Sequence, residues 1–311
     1  MGWGRVAPHP DRLSDADSSV GRVDYFSVPS GATPYVVDTD VGGDPDDALA
    51  LAVAASLKSV HSVMTCDEVR DGGRASLART LLRACGRPDI AVYEGAVARS
   101  HPDFLPFPSG ICRTKPEVGS QSLREFSRAV ADSQEVVWVG MGPMTNLATL
   151  ADLSPNLLQR VHVVQMGGWL RETPRPEHNL RLDPGAASRV MGRCASFTLV
   201  PADITMSCRN RLDENHSLLG WLRDHRSKWA SLVHGNFSWW FGTRYPSSFQ
   251  HDTLALAIAT GLPATIEPMR LRIDAEGLVR TSSRRPQVGV VLAVDWDLLW
   301  SWVIQRLGTL P

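Results

Sequence analysis

Lysine is scarce in this chain, and neither sign of charge is in excess. The 311 residues contain 29 arginines but only three lysines, Lys58, Lys115 and Lys228. Lysine and arginine together number 32 against 33 acidic residues, which gives a formal net charge of −1. A chain without surplus positive charge lacks the field that attracts nucleic acids or acidic membrane surfaces. We therefore expect neither a nucleic-acid polymer nor a membrane as a partner.

Long apolar segments and paired cysteines are missing as well. No apolar run approaches the roughly 20 residues that a membrane-spanning helix requires. The first thirty residues are polar and lack the apolar centre of a secretion signal. The five cysteines show no CxxC spacing, which argues against a zinc site and against a disulfide framework. These absences predict a cytoplasmic protein.

What the chain does contain is the composition of a globular α/β protein. Hydrophobic residues make up 43% and charged residues 21% of it. We predict that residues 1–33 form a flexible leader and that residues 34–311 form a single domain. Within that domain short apolar strands alternate with helices. This pattern indicates an open, mostly parallel central sheet with helices on both faces.

Some elements stand out clearly and others do not. Apolar runs predict strands at Val60–Thr65 and Ser196–Val200, and a closing helix at Trp296–Leu307. The tryptophan-rich stretch from Leu212 to Gly242 predicts helix. The proline-rich stretch from Ala96 to Gly119 has little periodicity and predicts a long surface loop, which is more often functional than idle.

The most informative segment is an aspartate cluster after the first predicted strand. Five carboxylates fall within ten residues, at Asp38, Asp40, Asp44, Asp46 and Asp47. No lysine or arginine is interleaved with them, so their mutual repulsion favours a bound cation. Carboxylate oxygens at the carboxyl end of a strand suit Ca²⁺ or Mg²⁺. The alternative is an acidic turn in which Asp46 or Asp47 simply starts a helix.

Further polar segments indicate a function only in combination. Each by itself is as well explained by a helix cap or a polar loop. The aromatic pair Trp239 and Trp240 lies shortly before one of them and suits either helix packing or stacking against a nucleobase. The segments are His251-Asp252, Glu177-His-Asn179 with Asp183-Pro184, and Gly140 to Asn146.

In chain order these segments resemble the inosine–uridine-preferring nucleoside hydrolase family. That family carries a DxDxGxDD-type cluster after its first strand, a G-P-L-T-N-like turn, a V-x-x-M-G-G strand end, E-F-N before D-P-E-A-A, and H-D-P at a late helix. The resemblance covers roughly residues 35–308. The corresponding segments here are Asp38–Asp47, Gly142–Asn146, Val163–Gly168, Glu177–Asn179 with Asp183–Ala187, and His251–Asp252.

The resemblance implies a Rossmann-like nucleoside hydrolase fold and a Ca²⁺-dependent enzyme. Its reaction would be hydrolysis of the N-glycosidic bond of a ribonucleoside or related N-riboside, giving free base and ribose. Asp40 would be the general base that takes a proton from metal-bound water as it attacks C1′, and His251 would lie near the departing base. The implied metal ligands are Asp40, Asp47, Asp252 and the Met141 carbonyl, with Asp38 in support.

The resemblance also implies how the substrate is held and how subunits assemble. Asp46, Glu177 and Asn179 would bind ribose hydroxyls, and Glu68 stands where the family has another sugar contact. Trp239 and Trp240 are our candidates for the wall against the base. The family is commonly dimeric or tetrameric, which predicts a homodimer or homotetramer.

Several positions depart from the family pattern and leave the substrate open. Five residues, Val41–Pro45, separate Asp40 from Asp46 where three are usual. Asp67-Glu68 replaces a Gly-Asn, and a carboxylate cannot donate the hydrogen bond that an amide does. Trp169-Leu-Arg171 offers no obvious Asn for the 5′ end of the sugar, and Gly185 replaces the usual Glu. A variant sugar, a modified base or a biosynthetic intermediate fits these changes.

Two other functions compete with this interpretation. The first is an aspartate-nucleophile phosphatase, which also has a DxD after its first strand. That chemistry requires a lysine near the phosphoryl group, and none of the three lysines suits a strand-end site. The second is a catalytically impaired protein that binds metal and nucleoside on the same scaffold.

Overall fold

The computed structural model describes residues 33–66, 73–98, 123–171 and 175–311. The predicted leader up to residue 32, most of the predicted loop from Ala96 to Gly119, and Glu68 lie outside these ranges. Among the helices within them, none is both long enough and apolar enough to cross a bilayer.

The strands of the described chain are short and mostly buried. In chain order they are β1 (Tyr35–Thr39), β2 (Val60–Thr65), β3 (Ala91–Tyr93), β4 (Val136–Gly140), β5 (Val161–Met166), β6 (Ser196–Val200), β7 (Arg211–Asp213), β8 (Ser247–Phe249), β9 (Ala264–Ile273), β10 (Val279–Thr281) and β11 (Gln287–Val294).

The helices alternate with these strands. They are α1 (Asp46–Ala55), α2 (Gly73–Ala84), α3 (Leu123–Ala129), α4 (Thr145–Leu153), α5 (His178–Leu182), α6 (Pro184–Val190), α7 (Ala202–Thr205), α8 (Ser217–Asp224), α9 (Lys228–Thr243), α10 (His251–Ala259) and α11 (Trp296–Leu307).

Within the described ranges, nine strands form one open sheet in the order β10-β9-β11-β6-β5-β4-β1-β2-β3. The pairs from β11 to β3 are parallel. At the other edge β9 pairs antiparallel with both β11 and β10. The predicted open, mostly parallel sheet is therefore confirmed.

Each face of the sheet packs against its own layer of helices. Along β4, Val137 and Val139 belong to one buried cluster and Trp138 to the other. This division follows from the strand, because successive side chains point to opposite faces. The first cluster takes in α1, α2 and α7 to α11, and the second takes in α3 to α6. Helices on both faces, as predicted, are confirmed.

The helical prediction from Leu212 to Gly242 is partly wrong. Leu212 lies in β7, which pairs antiparallel with β8 in a separate two-stranded sheet. The helical part is divided into α8 and α9, and Ser227 begins the second helix by accepting a hydrogen bond from the Ala230 amide at 3.3 Å. A capping serine favours a helix start at this point.

The register of the central strands places three loops side by side. Asp38 in β1 is level with Gly140 in β4, and Gly140 is level with Gln165 in β5. Parallel strands in register end at the same edge of the sheet, where open α/β folds bind ligands. The loops that begin at Asp40, Met141 and Gly167 therefore meet there.

Candidate active site

The aspartate loop, residues 40–47, is fastened to the end of β1. The Thr39 hydroxyl donates to Asp47 Oδ1 at 2.5 Å and accepts from the Val41 amide at 3.2 Å. Gly42 has a φ of 121°, a conformation that side-chain-bearing residues rarely adopt. The loop therefore turns sharply and delivers Asp46 and Asp47 into the first turn of α1.

The lengthened part of this loop has partners of its own. Asp44 accepts a hydrogen bond from the Ser248 hydroxyl in β8. The Asn236 side chain in α9 donates from Nδ2 to the Gly43 carbonyl at 3.1 Å. Gly43 and Asp44 are thus tied to α9 and to the β7–β8 sheet.

Three carboxylates from distant parts of the sequence converge at the bottom of the site. Asp46 and Asp47 open α1, and Asp252 lies in the first turn of α10. One oxygen of each lies within 4.8 Å of the others, and the three residues are 5%, 5% and 3% exposed. Helices α1 and α10 pack against each other, which brings their first turns together. This trio could hold a metal ion.

The electrostatics of the trio fit a bound cation. Burial raises the pKa of Asp46, Asp47 and Asp252 well above the usual value, and the neighbouring carboxylates raise it further. Burial also raises the pKa of Asp44 to about 7, against the opposing effect of the Ser248 hydrogen bond. Buried acids at such distances are stable as carboxylates only beside positive charge, and hard oxygen ligands select Ca²⁺ or Mg²⁺.

Asp40 lines the same cavity, next to Gly142. A Cβ on Gly142 would lie 2.3 Å from Cys66 Sγ and 3.0 Å from Asp40 Oδ1, so only glycine fits between them. The Asp40 backbone is held by Arg74 of α2, whose Nη1 donates to the carbonyls of Asp40 and, at 3.0 Å, Val41.

Arg74 corrects one inference from the sequence. No basic residue interrupts the aspartate cluster along the chain, yet α2 brings this arginine, 2% exposed, to the cavity wall. Its charge lowers the pKa of Asp47 slightly against the larger effect of burial. One guanidinium beside several carboxylates offsets only part of their charge, so the requirement for a further cation remains.

Asp38 does not line the cavity and instead belongs to the hydrogen-bond network behind it. It is buried and accepts from Asn146 Nδ2 at 2.7 Å. Burial raises the pKa of Asp38 to about 8, and the Asn146 hydrogen bond opposes this effect. Asn146 also donates to the Thr65 carbonyl at 2.8 Å and accepts from the Ala96 amide at 2.7 Å. It therefore joins the ends of β1, β2 and β3.

Glu177 and Asn179 form the opposite wall. The Glu177 carboxylate accepts from the amides of Asn179, at 3.0 Å, and of Gly168, at 3.1 Å, and it caps α5. Burial raises the pKa of Glu177, while these amide contacts oppose the shift. Asn179 Nδ2 donates to the Met141 carbonyl at 2.8 Å. This carbonyl, a predicted metal ligand, keeps a second lone pair.

His251 begins α10 and faces the cavity from the side of α7. Its Nδ1 lies 2.5 Å from the Thr205 hydroxyl. Burial, with a smaller contribution from the nearby His178, lowers the pKa of His251 to about 4. The imidazole is therefore neutral at pH 7, so it can offer a hydrogen bond from only one of its two nitrogens.

Only one of the two candidate tryptophans reaches the cavity. Trp240 lines it together with Tyr245, whose ring centroid lies 5.2 Å from that of Trp240. Trp239 is half-buried against the hydrophobic core and is not among the lining residues. Lys58 and Lys228 are also absent from the lining, so neither supplies the cation that the phosphatase alternative requires; Lys115 lies outside the described ranges.

These side chains surround one cavity of about 400 Å³, a size typical of small-molecule sites. It brings together most of the residues singled out in the sequence, except Asp38 beneath it, Trp239 beside it and Glu68, which is not described. The lining residues are Asp40, Gly43, Asp44, Asp46, Asp47, Arg74, Met141, Met166, Trp169, Arg175, Pro176, Glu177, His178, Asn179, Ala202, Met206, Trp240, Tyr245, His251 and Asp252.

Sequence reasoning missed three residues that shape this cavity. Arg74 and Thr205 carry no motif, and nothing along the chain links them to Asp40 or His251. The sequence marks Trp169 only as part of a loop without an obvious asparagine for the 5′ end of the sugar. A signal existed for Trp169 alone, because it follows two glycines at the end of a strand, Gly167 and Gly168.

Comparison with known sequences bears on this arrangement. The sequence profile described as inosine-uridine preferring nucleoside hydrolase matches residues 35–301. The pyrimidine-specific ribonucleoside hydrolase RihA of Salmonella schwarzengrund (strain CVM19633) is 30% identical, over 56% of this chain and 61% of the relative. RihA of Salmonella agona (strain SL483) gives the same three figures. The chain thus spans about three fifths of the length of the curated relatives it matches.

Solved structures show the same fold. A plant nucleoside hydrolase, PpNRh1, has a TM-score of 0.72 at 21% identity, covering 89% of this chain and 99% of the other. A purine-preferring ribonucleoside hydrolase from Gardnerella vaginalis has a TM-score of 0.70 at 20% identity, covering 88% and 98%. At these identities the likeness establishes the fold, and the fold predicted from the resemblance is confirmed.

Proposed function

Because the chain belongs to the inosine-uridine preferring nucleoside hydrolase family, we propose that it hydrolyses the N-glycosidic bond of a ribonucleoside or related N-riboside to free base and sugar. The observation that carries this proposal is the buried trio Asp46, Asp47 and Asp252. It shares one cavity with Glu177 and His251. Acids on one side and an imidazole on the other suit a substrate with a sugar at one end and a base at the other.

We propose Ca²⁺ as the resident cation, held by Asp40, Asp47, Asp252 and the Met141 carbonyl. When bound, the ion neutralises the buried carboxylates and lowers the pKa of the attacking water. In this assignment Asp40 would contact the ion and Asp46 the sugar. Because Asp46 offers an oxygen within 4.8 Å of Asp47 and Asp252, sugar hydroxyls bound to Asp46 would lie close to the ion as well.

Different residues of the chain then have different roles in the reaction. Asp40 accepts a proton from water that attacks C1′ of the sugar. The transition state of glycosidic cleavage resembles an oxocarbenium cation, and the surrounding carboxylates stabilise its positive charge. Glu177 and Asn179 position the sugar.

The base leaves on the side of α9 and α10. Trp240 and Tyr245 provide a surface against which it stacks. The contact between His251 Nδ1 and the Thr205 hydroxyl leaves Nε2 as the ring nitrogen available to the base. His251→Ala is expected to slow nucleosides with poor leaving groups more than activated aryl ribosides, and equal losses would remove His251 from leaving-group assistance.

The test is release of free base from a panel of purine and pyrimidine nucleosides, with and without a chelator, followed by restoration with CaCl₂. Chelator-sensitive base release that Asp252→Asn abolishes supports the proposal. Release of phosphate from nucleotides without base release indicates the phosphatase. Ca²⁺-dependent nucleoside binding in calorimetry without turnover indicates the impaired binding protein. Cytoplasmic location and a homodimeric or homotetrameric state remain predictions.

A further inference from the structure

The rim of the cavity carries an arginine with no carboxylate partner among the described residues. Arg175 lines the cavity, and its guanidinium carbon lies 4.0 Å from the centroid of the Trp169 ring. Its hydrogen-bond contact within the described chain is from Nη2 to the Met206 sulfur at 3.6 Å. A thioether is a weak acceptor and carries no charge. The positive charge of Arg175 therefore has no ion pair there.

The neighbouring Arg171 differs from Arg175 because it has a carboxylate partner. Its guanidinium carbon lies 5.3 Å from the centroid of the same Trp169 ring. However, Arg171 Nε lies 3.6 Å from Asp203 Oδ1, and the residue does not line the cavity. The two arginines share an aromatic neighbour and differ in charge compensation and in access to the cavity.

Trp169 adds an unused donor to the same rim. The residue is 8% exposed and lines the cavity, and its indole Nε1 has no hydrogen-bond partner within the described chain. A buried indole N–H normally has an acceptor. The guanidinium over the Trp169 ring and the N–H of the same indole are both donors, so a ligand that reaches both is an acceptor, and next to a cation a negatively charged one.

This rim is continuous with the wall that Glu177 forms. The Glu177 carboxylate accepts from the amide of Gly168, the residue before Trp169, and Arg175 precedes Glu177 by two residues. If Glu177 and Asn179 position the sugar, these donors adjoin the wall that holds the sugar, while the Met206 contact of Arg175 lies next to Thr205 and therefore on the His251 side of that wall. In a riboside the 5′ carbon is attached across the ring oxygen from C1′, away from the 2′ and 3′ hydroxyls that face the acids.

We propose that the substrate carries a phosphate monoester at the 5′ position of its sugar, with Arg175 as the charged contact and Trp169 Nε1 as a second donor. This inference rests on the proposed function and names its substrate class, a nucleoside 5′-monophosphate. Water adds to C1′ as the bond from C1′ to the base nitrogen breaks, the base takes up the proton, and ribose 5-phosphate and free base are released. The phosphate ester itself stays intact.

The experiment measures kcat/KM for uridine and inosine and for their 5′-monophosphates, detecting free base and inorganic phosphate. We expect the monophosphates to be preferred. In Arg175→Ala the ratio of kcat/KM for monophosphate over nucleoside is expected to fall by about 10- to 100-fold, as for loss of a charge-assisted contact. Arg175→Lys is expected to retain part of the preference. Arg171→Ala, the matched control, is expected to leave the ratio unchanged.

A binding measurement keeps the proposal testable if turnover is absent. By calorimetry, the wild-type chain is expected to bind ribose 5-phosphate at least about 10-fold more tightly than ribose, and Arg175→Ala is expected to lose that difference. Cleavage of nucleosides without preference for the monophosphates overturns the phosphate site and leaves the hydrolase standing. Base release from neither substrate overturns the hydrolase, while the binding difference still decides on the phosphate site. A preference for orotidine over both uridine and its monophosphate places the anion on the base and overturns the proposal.

Discussion

Replacing Asp252 by asparagine should stabilise the protein without metal and destabilise it with metal. The substitution nearly preserves volume and removes one charge from a trio whose oxygens lie within 4.8 Å of one another. At an effective dielectric constant of about 20, two unit charges at that distance repel by roughly 3.5 kcal/mol. Asp252 faces two such neighbours, so about 7 kcal/mol is the limit of the relief for three fully ionised acids at a separation of 4.8 Å.

The expected net gain is smaller than this limit for two reasons. Burial and mutual repulsion raise the pKa of these carboxyls, so protons already relieve part of the repulsion. A buried asparagine also needs hydrogen-bond partners, and lacking one costs about 1–3 kcal/mol. We therefore expect chelator-treated Asp252→Asn to be more stable by roughly 1–3 kcal/mol at pH 8, a rise in melting temperature of about 2–10 °C.

Calcium should reverse the order of the two proteins. A ligand at 1,000 times its Kd stabilises the native state by about 4.1 kcal/mol, which exceeds the metal-free advantage of the variant, and the variant should lose most of this gain. The assay is thermal unfolding with chelator and with millimolar CaCl₂, and Asp132→Asn, at an exposed position, is the control. A metal-free variant less stable than wild type, together with equal stabilisation of both by CaCl₂, would refute the reasoning.

The pH dependence of the metal-free protein has a definite sign. Burial raises the pKa of Asp44 to about 7 and of Asp38 to about 8, above the value of about 4 that an unfolded aspartate has. Between these values the native state binds more protons than the unfolded state, so stability falls as pH rises from about 4 to about 8. The advantage of Asp252→Asn should therefore be largest at the alkaline end of this window.

Three other variants test separate parts of the site. Asp40→Asn should lower kcat by roughly 10²- to 10⁴-fold, the range for a general base, without lowering the melting temperature, and activity at the wild-type level would exclude that role. Thr205→Val should lower kcat by about 10-fold by releasing His251, whereas Thr205→Ser should restore it; equal activity of the two variants would show that the hydroxyl does not position the imidazole. Asn146→Ala should cost about 2–4 kcal/mol in urea unfolding, because it removes one donor each from Asp38 and the Thr65 carbonyl and the acceptor of the Ala96 amide, and a loss under 1 kcal/mol would contradict this reading of the network.

The sheet was predictable because its longer strands carry a clear hydrophobic pattern in the sequence. Val60–Thr65 and Ser196–Val200 occupy the predicted bounds, since apolar runs flanked by polar residues define buried parallel strands. The three-residue strands β7 and β8 have no such pattern. Their pairing depends on α8 and α9 folding between them, and that is a tertiary event that a local pattern does not encode.

The site was predictable in its acids and not in their neighbours. Asp47 and Asp252 were found through motifs, whereas Arg74 reaches the cavity from a helix whose sequence is ordinary. Trp239 and Trp240 show another limit. Adjacent helical residues point about 100° apart, so only one of them faces the cavity, and the choice depends on how α9 packs.

At the contact between α1 and α10, alanine side chains help to set the distance between the acids of the site. Both helices are buried along their length and rich in alanine, including Ala50, Ala52, Ala255 and Ala257. Small side chains set how closely the two helix axes approach, and a single added methyl group in so dense an interior displaces its surroundings. The spacing of the acids thus depends on residues that do not contact the substrate. Substitutions at these alanines are therefore the ones expected to change metal preference most strongly.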